Sequence, residues 1–230
     1  MNWKKIETVL RKIVPESEGI DGDFYGWFTD KKPESIGKVA VVVDLLKNMN
    51  LSAYDLIISH HKPSFDSEFP IFVLHSPLDS INWGCHYQLA KIFGFEPVKK
   101  FDSGLGVYVK DIDIEGETLL SLTKKELSNS LAYFIPDRKI KQIAFFSGCG
   151  FNFPDFIQEA IEREIDFIIS GDIVHHTAVL LKNRNIGFID AGHYHTEIPG
   201  IKEFVRRLKK FIGNVEFIDG GAPYSYIRIG

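Results

Sequence analysis

Short runs of apolar residues recur along the chain and alternate with segments of helical periodicity. Each run is rich in Val, Ile and Phe and is bounded by polar or turn residues, which is typical of strands buried on both faces of a sheet. We therefore predict strands in KVAVVVDLL (38–46), YDLIIS (54–59), PIFVLHS (70–76), QIAFFS (142–147), IDFIIS (165–170), IGFID (186–190) and NVEFID (214–219).

Amphipathic helical patterns lie beside these runs. Each pattern returns an apolar residue every three or four positions, as the core-facing side of a helix requires. Strands that alternate with helices predict an α/β fold around a largely parallel or mixed sheet. The predicted helices are MNWKKIETVLRKIVPE (1–16), CHYQLAKIFGF (85–95), FPDFIQEAIERE (153–164), HHTAVLLKNRN (175–185) and IKEFVRRLKKFI (201–212).

Two of the predicted strands resemble each other. YDLIISHH (54–61) and IDFIISGDIVHH (165–176) share an aspartate and an Ile-Ile-Ser core, and each is followed by a histidine pair. The next strands, in FVLHSPLD (72–79) and GFIDAGHYHTE (187–197), also end in polar, histidine-bearing sequence. We interpret this as a degenerate internal duplication, in which two similar, intertwined α/β halves present equivalent strand ends to one cleft.

The duplication predicts how the chain is organised. A first α/β half (1–97) and a second α/β half (141–230) flank a connecting excursion (98–140), and together they form one compact unit. The excursion carries the alternation GVYVKDIDI and then a short helical pattern, so we expect a strand and a helix at the rim of the cleft.

Composition narrows the class of protein. With 230 residues and 44% hydrophobic content, the chain can fill a substantial core. Its net charge of −4 argues against a protein whose main task is to bind nucleic-acid backbone. The sequence contains no run of about 18 apolar residues, and the amphipathic start differs from a signal peptide. We therefore predict a soluble, cytoplasmic protein.

Cysteine usage restricts the possible metal ligands. The two cysteines, Cys85 and Cys149, lie far apart, so neither a disulfide framework nor a cysteine zinc knuckle is expected. Cys149 lies in the turn of FFSGCGFNFPDF (145–156), where we expect it to fill space as a small packing residue. That turn could also contact a substrate phosphate. A metal site should therefore use His, Asp and Glu.

Residues of these types follow the predicted strands. His60 and His61 follow one strand, and Asp79 follows another. A third strand is followed by His193 and Glu197, which would lie on one face of a helix that begins near Gly192. Because loops at the carboxyl ends of parallel strands face a common crevice, we expect these five side chains to converge as metal ligands.

The adjacent histidines indicate more than one ion. His60 and His61 point in different directions in an extended segment, so each suits a different ion. Two ions about 3.5 to 4 Å apart, bridged by a carboxylate such as Asp79, would use both and would generate a hydroxide nucleophile at neutral pH. Nitrogen and oxygen ligands suit divalent Zn, Fe, Mn, Co or Ni, and the sequence does not choose among them.

Four motifs carry a resemblance to a known family. SHHKPSF, HSPLD with GCHYQLA, GDIVHH and above all DAGHYHTE resemble the Nif-three-like family of dinuclear metal-binding proteins, often labelled type two GTP cyclohydrolase I. The resemblance covers nearly the whole chain. It implies a dinuclear metal site with the ligands His60, His61, Asp79, His193 and Glu197, the set also reached from spacing, whereas His195 is left out. It further implies a toroidal homohexamer built from dimers.

Other residues are candidates for catalysis or for orienting the ligands. His75 and His176 could act as general acid and base, or could orient ligands, as could His86. Asp172 could accept a hydrogen bond from a ligand histidine or cap the helix that follows it, and the sequence leaves both open. Trp83 could stack on a base.

The sequence thus predicts a dinuclear metal-dependent hydrolase that acts on a small, nucleotide-like or phosphorylated substrate through a metal-bound hydroxide. One alternative is opening of the purine ring of GTP, which the family label implies. Another is a ring-shaped protein that binds nucleic acid or handles metal without turnover, which basic clusters favour and the negative net charge opposes.

Overall fold

The computed structural model of the chain describes residues 1–127 and 132–225. Over these residues the chain forms two compact units. The first unit joins Met1–Gly84 with Gly200–Pro223, and the second unit is built from Cys85–Pro199. Each unit has its own sheet, so the predicted α/β class with mixed sheets is confirmed.

The helices and strands of the described residues follow the predicted alternation. In chain order the strands are β1 (Tyr25–Trp27), β2 (Val39–Val42), β3 (Leu56–Ser59), β4 (Ile71–Leu74), β5 (Lys99–Lys100), β6 (Val107–Val109), β7 (Ala132–Phe134), β8 (Ile143–Phe145), β9 (Phe167–Ser170), β10 (Gly187–Asp190) and β11 (Val215–Phe217). The helices are α1 (Trp3–Ile13), α2 (Ser76–Ser80), α3 (Cys85–Ile92), α4 (Gly116–Leu127), α5 (Pro154–Glu162), α6 (His175–Asn183) and α7 (His193–Leu208). Among them no helix is both long and apolar enough to cross a membrane.

The sheet of the first unit has the order β1-β4-β3-β2-β11. Strands β2, β3 and β4 run parallel, with Val42 opposite Ser59 and Ser59 opposite Val73. Every residue of these three strands is buried, which explains their uninterrupted apolar sequences. This register brings the carboxyl ends of β3 and β4 to the same edge of the sheet.

The sheet of the second unit has the order β5-β6-β8-β9-β10-β7. Strands β8, β9 and β10 run parallel, whereas β6 and β7 pair antiparallel with β8 and β10. Side chains of β9 alternate between two cores: Phe167 and Ile169 pack with Leu89 of α3 and Leu119 of α4, and Ile168 packs with residues of α5 and α6. Helices on both faces therefore account for strands that are apolar throughout.

The two sheets share one topology around their centres, as the predicted duplication requires. Three consecutive parallel strands, β2-β3-β4 or β8-β9-β10, are followed on the outer side by an antiparallel strand, β1 or β7. The similar segments YDLIIS and IDFIIS occupy the same central place, as β3 and β9. Equivalent positions at the ends of these strands therefore recur in the two units.

The units are interleaved differently from the predicted halves. Strand β11, which the sequence assigns to the second half (141–230), pairs in parallel with β2 in the first unit. Periodicity identifies a buried strand but carries no information about its long-range partner, so this pairing could not be predicted. Residues 128–131 of the predicted excursion (98–140) and residues 226–230 lie outside the described residues.

Helix α7 begins earlier than the apolar pattern indicates. The pattern marks residues 201–212, whereas the helix begins at His193 and continues through Pro199 to Leu208. Proline lacks a backbone N–H, so a proline in the interior of a helix usually kinks or breaks the helix. Because α7 contains Pro199, the motif HYHTEIPG and the segment after it belong to one continuous helix.

Candidate metal centre

Three histidines lie together at the carboxyl edge of the first unit's sheet. His60 and His61 follow β3, and His75 follows β4. Their ring centroids are 4.6 Å apart for His60 and His61, 5.3 Å for His60 and His75, and 5.2 Å for His61 and His75. One ring nitrogen of each lies within 4.8 Å of one from each of the others, close enough for shared metal binding.

The Nδ1 atom of each of these histidines has a defined oxygen partner. His60 Nδ1 is 2.9 Å from the Leu74 carbonyl oxygen, and His61 Nδ1 is 2.8 Å from Asp44 Oδ1. An oxygen acceptor at Nδ1 requires the proton on that nitrogen, so the lone pair of the neutral ring is on Nε2. Metal-ligating histidines are held and oriented in this way in proteins.

Asp79 supplies a carboxylate beside this cluster. It lies on the short helix α2, and its Oδ2 atom is 3.5 Å from His60 Nε2. The side chain of His60 is fully buried, whereas 13% of that of Asp79 is exposed. Two atoms that would bind one ion thus lie side by side, and Asp79 retains some access to solvent.

His193 and Glu197 form the corresponding pair in the second unit. They lie one turn apart at the start of α7, with His193 Nε2 3.0 Å from Glu197 Oε1. Glu197 is only 2% exposed. The predicted placement of both residues on one helix face is therefore present in the structure, and it results from their spacing of one helical turn.

Asp172 fixes the other side of the His193 ring. Its Oδ2 atom is 2.7 Å from His193 Nδ1, and the residue has a left-handed backbone with φ of 62°. The residue at the N-cap of α6 is Val174. Of the two roles that the sequence left open for Asp172, the structure therefore has the hydrogen bond to histidine.

The two carboxylates change the protonation of His193. Burial lowers the pKa of the ring, but hydrogen bonds with Asp172 and Glu197 outweigh it and raise the pKa to about 11. Positive charge is therefore favoured at this ring. A cation at Nε2 would take the place of the proton that faces Glu197, while Nδ1–H keeps its hydrogen bond to Asp172, so the donor set suits a divalent metal ion.

A glycine leaves the space in which such an ion would be held. Gly148 has φ of +69°, and a Cβ atom there would lie 2.5 Å from Glu197 Oε1 and 3.3 Å from His193 Nε2. Its N–H donates to Thr196 Oγ1 at 2.9 Å, which ties the turn to the same helix. The Ser-Gly-Cys-Gly sequence predicts a tight turn here, but the contact of Gly148 with the ligand pair becomes visible only in the structure.

The structure also shows where the other residues lie that the sequence suggested for catalysis, ligand orientation or stacking. His176 is exposed on the first turn of α6 and belongs to no cluster of possible metal ligands among the described residues, so its catalytic role stays a prediction. His86 is buried and accepts a hydrogen bond from the Ser147 N–H at 2.9 Å, which indicates a structural role. Trp83 contacts the Arg207 guanidinium, 4.2 Å from the ring centroid. The His195 ring contacts Tyr194.

Comparison with known proteins identifies relatives along most of the chain. A family profile described as Duf34/NIF3 (NGG1p interacting factor 3) matches residues 66–220. The GTP cyclohydrolase 1 type 2 homolog of Methanothermobacter thermautotrophicus is 28% identical over 222 residues, which cover 96% of this chain and 94% of that protein. A protein of the same name from Methanocaldococcus jannaschii is 24% identical over 231 residues, covering 89% and 93% of the two chains.

Solved structures share the fold along almost the whole chain. Reduced HcgD from Methanocaldococcus jannaschii superposes with a TM-score of 0.82 at 24% identity, covering 95% of this chain and 98% of that one. A Bacillus cereus protein related to NIF3 gives a TM-score of 0.84 at 12% identity, with 99% of each chain covered. The profile match over most of the sequence confirms the resemblance seen in the histidine motifs: this chain belongs to the Duf34/NIF3 family.

Proposed function

We propose that this protein is a metal-dependent hydrolase that acts on a small, nucleotide-like or phosphorylated substrate with two divalent ions. The ligands are His60, His61 and Asp79 in the first unit and His193 and Glu197 in the second. The observation that supports this most strongly is the fixed Nδ1 atom of the ligand histidines, because it directs Nε2 of His60 and His193 toward neighbouring carboxylates. When bound, divalent ions supply Lewis acidity and stabilise negative charge that develops on oxygen.

His75 is the residue we propose for proton transfer. Its side chain is 39% exposed, so substrate can reach it. Its Nδ1 atom is 2.9 Å from Asp23 Oδ1, and the N–H of Ser76 donates to Asp23 Oδ2 at 3.0 Å. A histidine held by a carboxylate keeps one tautomer and one orientation, which general acid–base catalysis requires.

The environment keeps Asp23 ionised. Burial raises the pKa of this carboxyl, but hydrogen bonds from Ser76 and His75 and the charge of His75 outweigh it, so the pKa lies below its ordinary value. Asp23 is therefore a positioning residue that acts through His75.

We expect Asp23→Asn to lower kcat by about tenfold to a hundredfold, because the single amide oxygen cannot accept from both His75 and Ser76 and no longer carries the charge that favours one orientation of the His75 ring. Metal content should stay at the wild-type level. The matched control is Asp21→Asn, two positions earlier and exposed, which should leave both quantities unchanged. A wild-type kcat in Asp23→Asn would show that the contact between Asp23 and His75 is not needed for catalysis.

The proposed function is tested with protein loaded separately with Zn, Mn, Fe, Co and Ni. Phosphate release from nucleotides and phosphomonoesters is measured for the wild type and for Asp79→Ala. We expect turnover with at least one metal and none in the variant. Turnover that persists in metal-free Asp79→Ala, or its absence with every metal and substrate, would contradict the proposal.

A second candidate is hydrolytic opening of the purine ring of GTP. It is favoured by the name that the relatives from Methanothermobacter thermautotrophicus and Methanocaldococcus jannaschii carry. The same metal-loaded protein incubated with GTP should then release formate. Phosphate release without formate would favour the first candidate.

A further inference from the structure

Cys149 lies beside two residues of the proposed site in the second unit. Its sulfur, a carboxylate oxygen of Asp172 and a ring nitrogen of His193 all lie within 4.8 Å of one another. All three residues are partly exposed, so an ion could reach them. The sequence predicts a packing residue at Cys149, and the structure places its sulfur beside two side chains that can bind metal.

The turn that carries Cys149 is held in place by backbone hydrogen bonds. The Gly171 N–H donates to the Gly148 carbonyl at 3.0 Å, and the Phe151 N–H donates to the Gly171 carbonyl at 3.3 Å. The Asn152 N–H donates to the carbonyl of Cys149 itself at 2.8 Å. The turn is thereby attached to the segment that follows β9, and the backbone of Cys149 has a defined position relative to that segment.

Close packing allows little movement of this turn. A Cβ atom at Gly171 would lie 2.4 Å from the His193 backbone nitrogen and 2.7 Å from the Gly148 carbonyl oxygen. A Cβ atom at Gly150 would lie 2.4 Å from the Phe146 side chain. Gly171 thus allows close approach of the turn to the start of α7, and Gly150 allows the turn to pack against Phe146.

We propose that Cys149 is a sulfur ligand to the ion bound by His193, an inference that rests on the proposed metal-dependent function. The thiol would lose its proton to solvent on binding, as cysteine ligands do. A thiolate among nitrogen and oxygen donors favours thiophilic ions such as Zn, Fe and Co over Mg, Ca and Mn. The second unit would then select its metal by ligand chemistry.

The test is the absorption spectrum of metal-free protein titrated with Co(II). The wild type should show a sulfur-to-cobalt charge-transfer band in the near ultraviolet together with the visible d–d bands. Cys149→Ser should lose the near-ultraviolet band and keep the d–d bands, because the remaining ligands still bind cobalt. Competition with Mn(II) should then displace cobalt more readily from Cys149→Ser than from the wild type.

The other cysteine provides the comparison. Cys85→Ser should keep the near-ultraviolet band. A wild-type spectrum without that band, its retention in Cys149→Ser, or its loss only in Cys85→Ser would each overturn the assignment. Visible d–d bands without the near-ultraviolet band would reject the sulfur ligand alone, whereas the absence of all cobalt bands would also reject the proposed metal site.

Discussion

Glu197→Ala is expected to lose metal from the second unit more completely than any change outside the ligand set. The carboxylate is 2% exposed and lies 3.0 Å from His193 Nε2. Its removal deletes one ligand and also one of the two negative groups that favour a cation at His193. Loss of a hydrogen bond that orients a ligand residue typically costs about tenfold to a hundredfold in metal affinity. Loss of the ligand itself should cost more.

The measurement is elemental analysis of protein purified without an affinity tag and dialysed against a weak chelator. Glu203→Ala is the matched control, because Glu203 lies on the same helix and pairs with Arg206 and Arg207 instead of a histidine. We expect about two equivalents of metal in the wild type and in the control, and a clear loss in Glu197→Ala. Wild-type metal content in Glu197→Ala would show that this carboxylate is not a ligand.

Gly148→Ala should remove metal almost as effectively without changing any ligand. The new Cβ atom would lie 2.5 Å from Glu197 Oε1, so the carboxylate must move away from His193. A displacement of about 1 Å at such a site can cost a hundredfold in activity. Metal content and turnover should therefore fall together.

Backbone strain has to be separated from this steric effect. Alanine in the left-handed region costs about 1 to 2 kcal/mol wherever it occurs. Gly94→Ala is the matched control, because Gly94 has φ of +84° and no atom within 4 Å of its added Cβ. Both variants should lower Tm by similar amounts, and only Gly148→Ala should lose metal. Equal metal content in the two variants would argue against the steric role of Gly148.

The ligand residues could be proposed from sequence because their chemistry is concentrated at strand ends. His60 and His61 follow an apolar run directly, and His193 and Glu197 are spaced by one helical turn. The residues of each pattern lie close together in the chain, so the pattern can be recognised in a single sequence. The structure brings His60 beside Asp79, and His193 beside Glu197.

The residues that hold these ligands could not be predicted in the same way. Asp44 contacts the ligand His61 across 17 positions of sequence, and Asp23 contacts His75, the residue proposed for proton transfer, across 52 positions. The Ser-Gly-Cys-Gly turn marks Gly148 as a turn residue, but the sequence does not show which side chains lie against it. The sequence predicts two alternative roles for Asp172, as a helix cap or as a hydrogen-bond partner of a histidine. Its hydrogen bond with His193 decides between them.

The short outer strands were also missed, for a related reason. β1 and β7 each contain three residues, and β7 is mostly exposed, so neither produces an apolar run. They form because β4 and β10 offer an open edge with which a neighbouring segment can pair. Edge pairing of this kind depends on the completed sheet more than on local sequence.

The interleaving of the two units has a consequence for the order of folding. Among the described residues, the strands of the second unit's sheet all lie between Cys85 and Pro199, so that sheet can assemble from one continuous stretch. The first unit must wait for β11, which pairs with β2 from the opposite end of the chain. Non-local parallel pairing is slow and leaves β2 unprotected until it occurs. During synthesis the sheet of the second unit can therefore assemble before that of the first, and the exposed edge of β2 is where aggregation would begin.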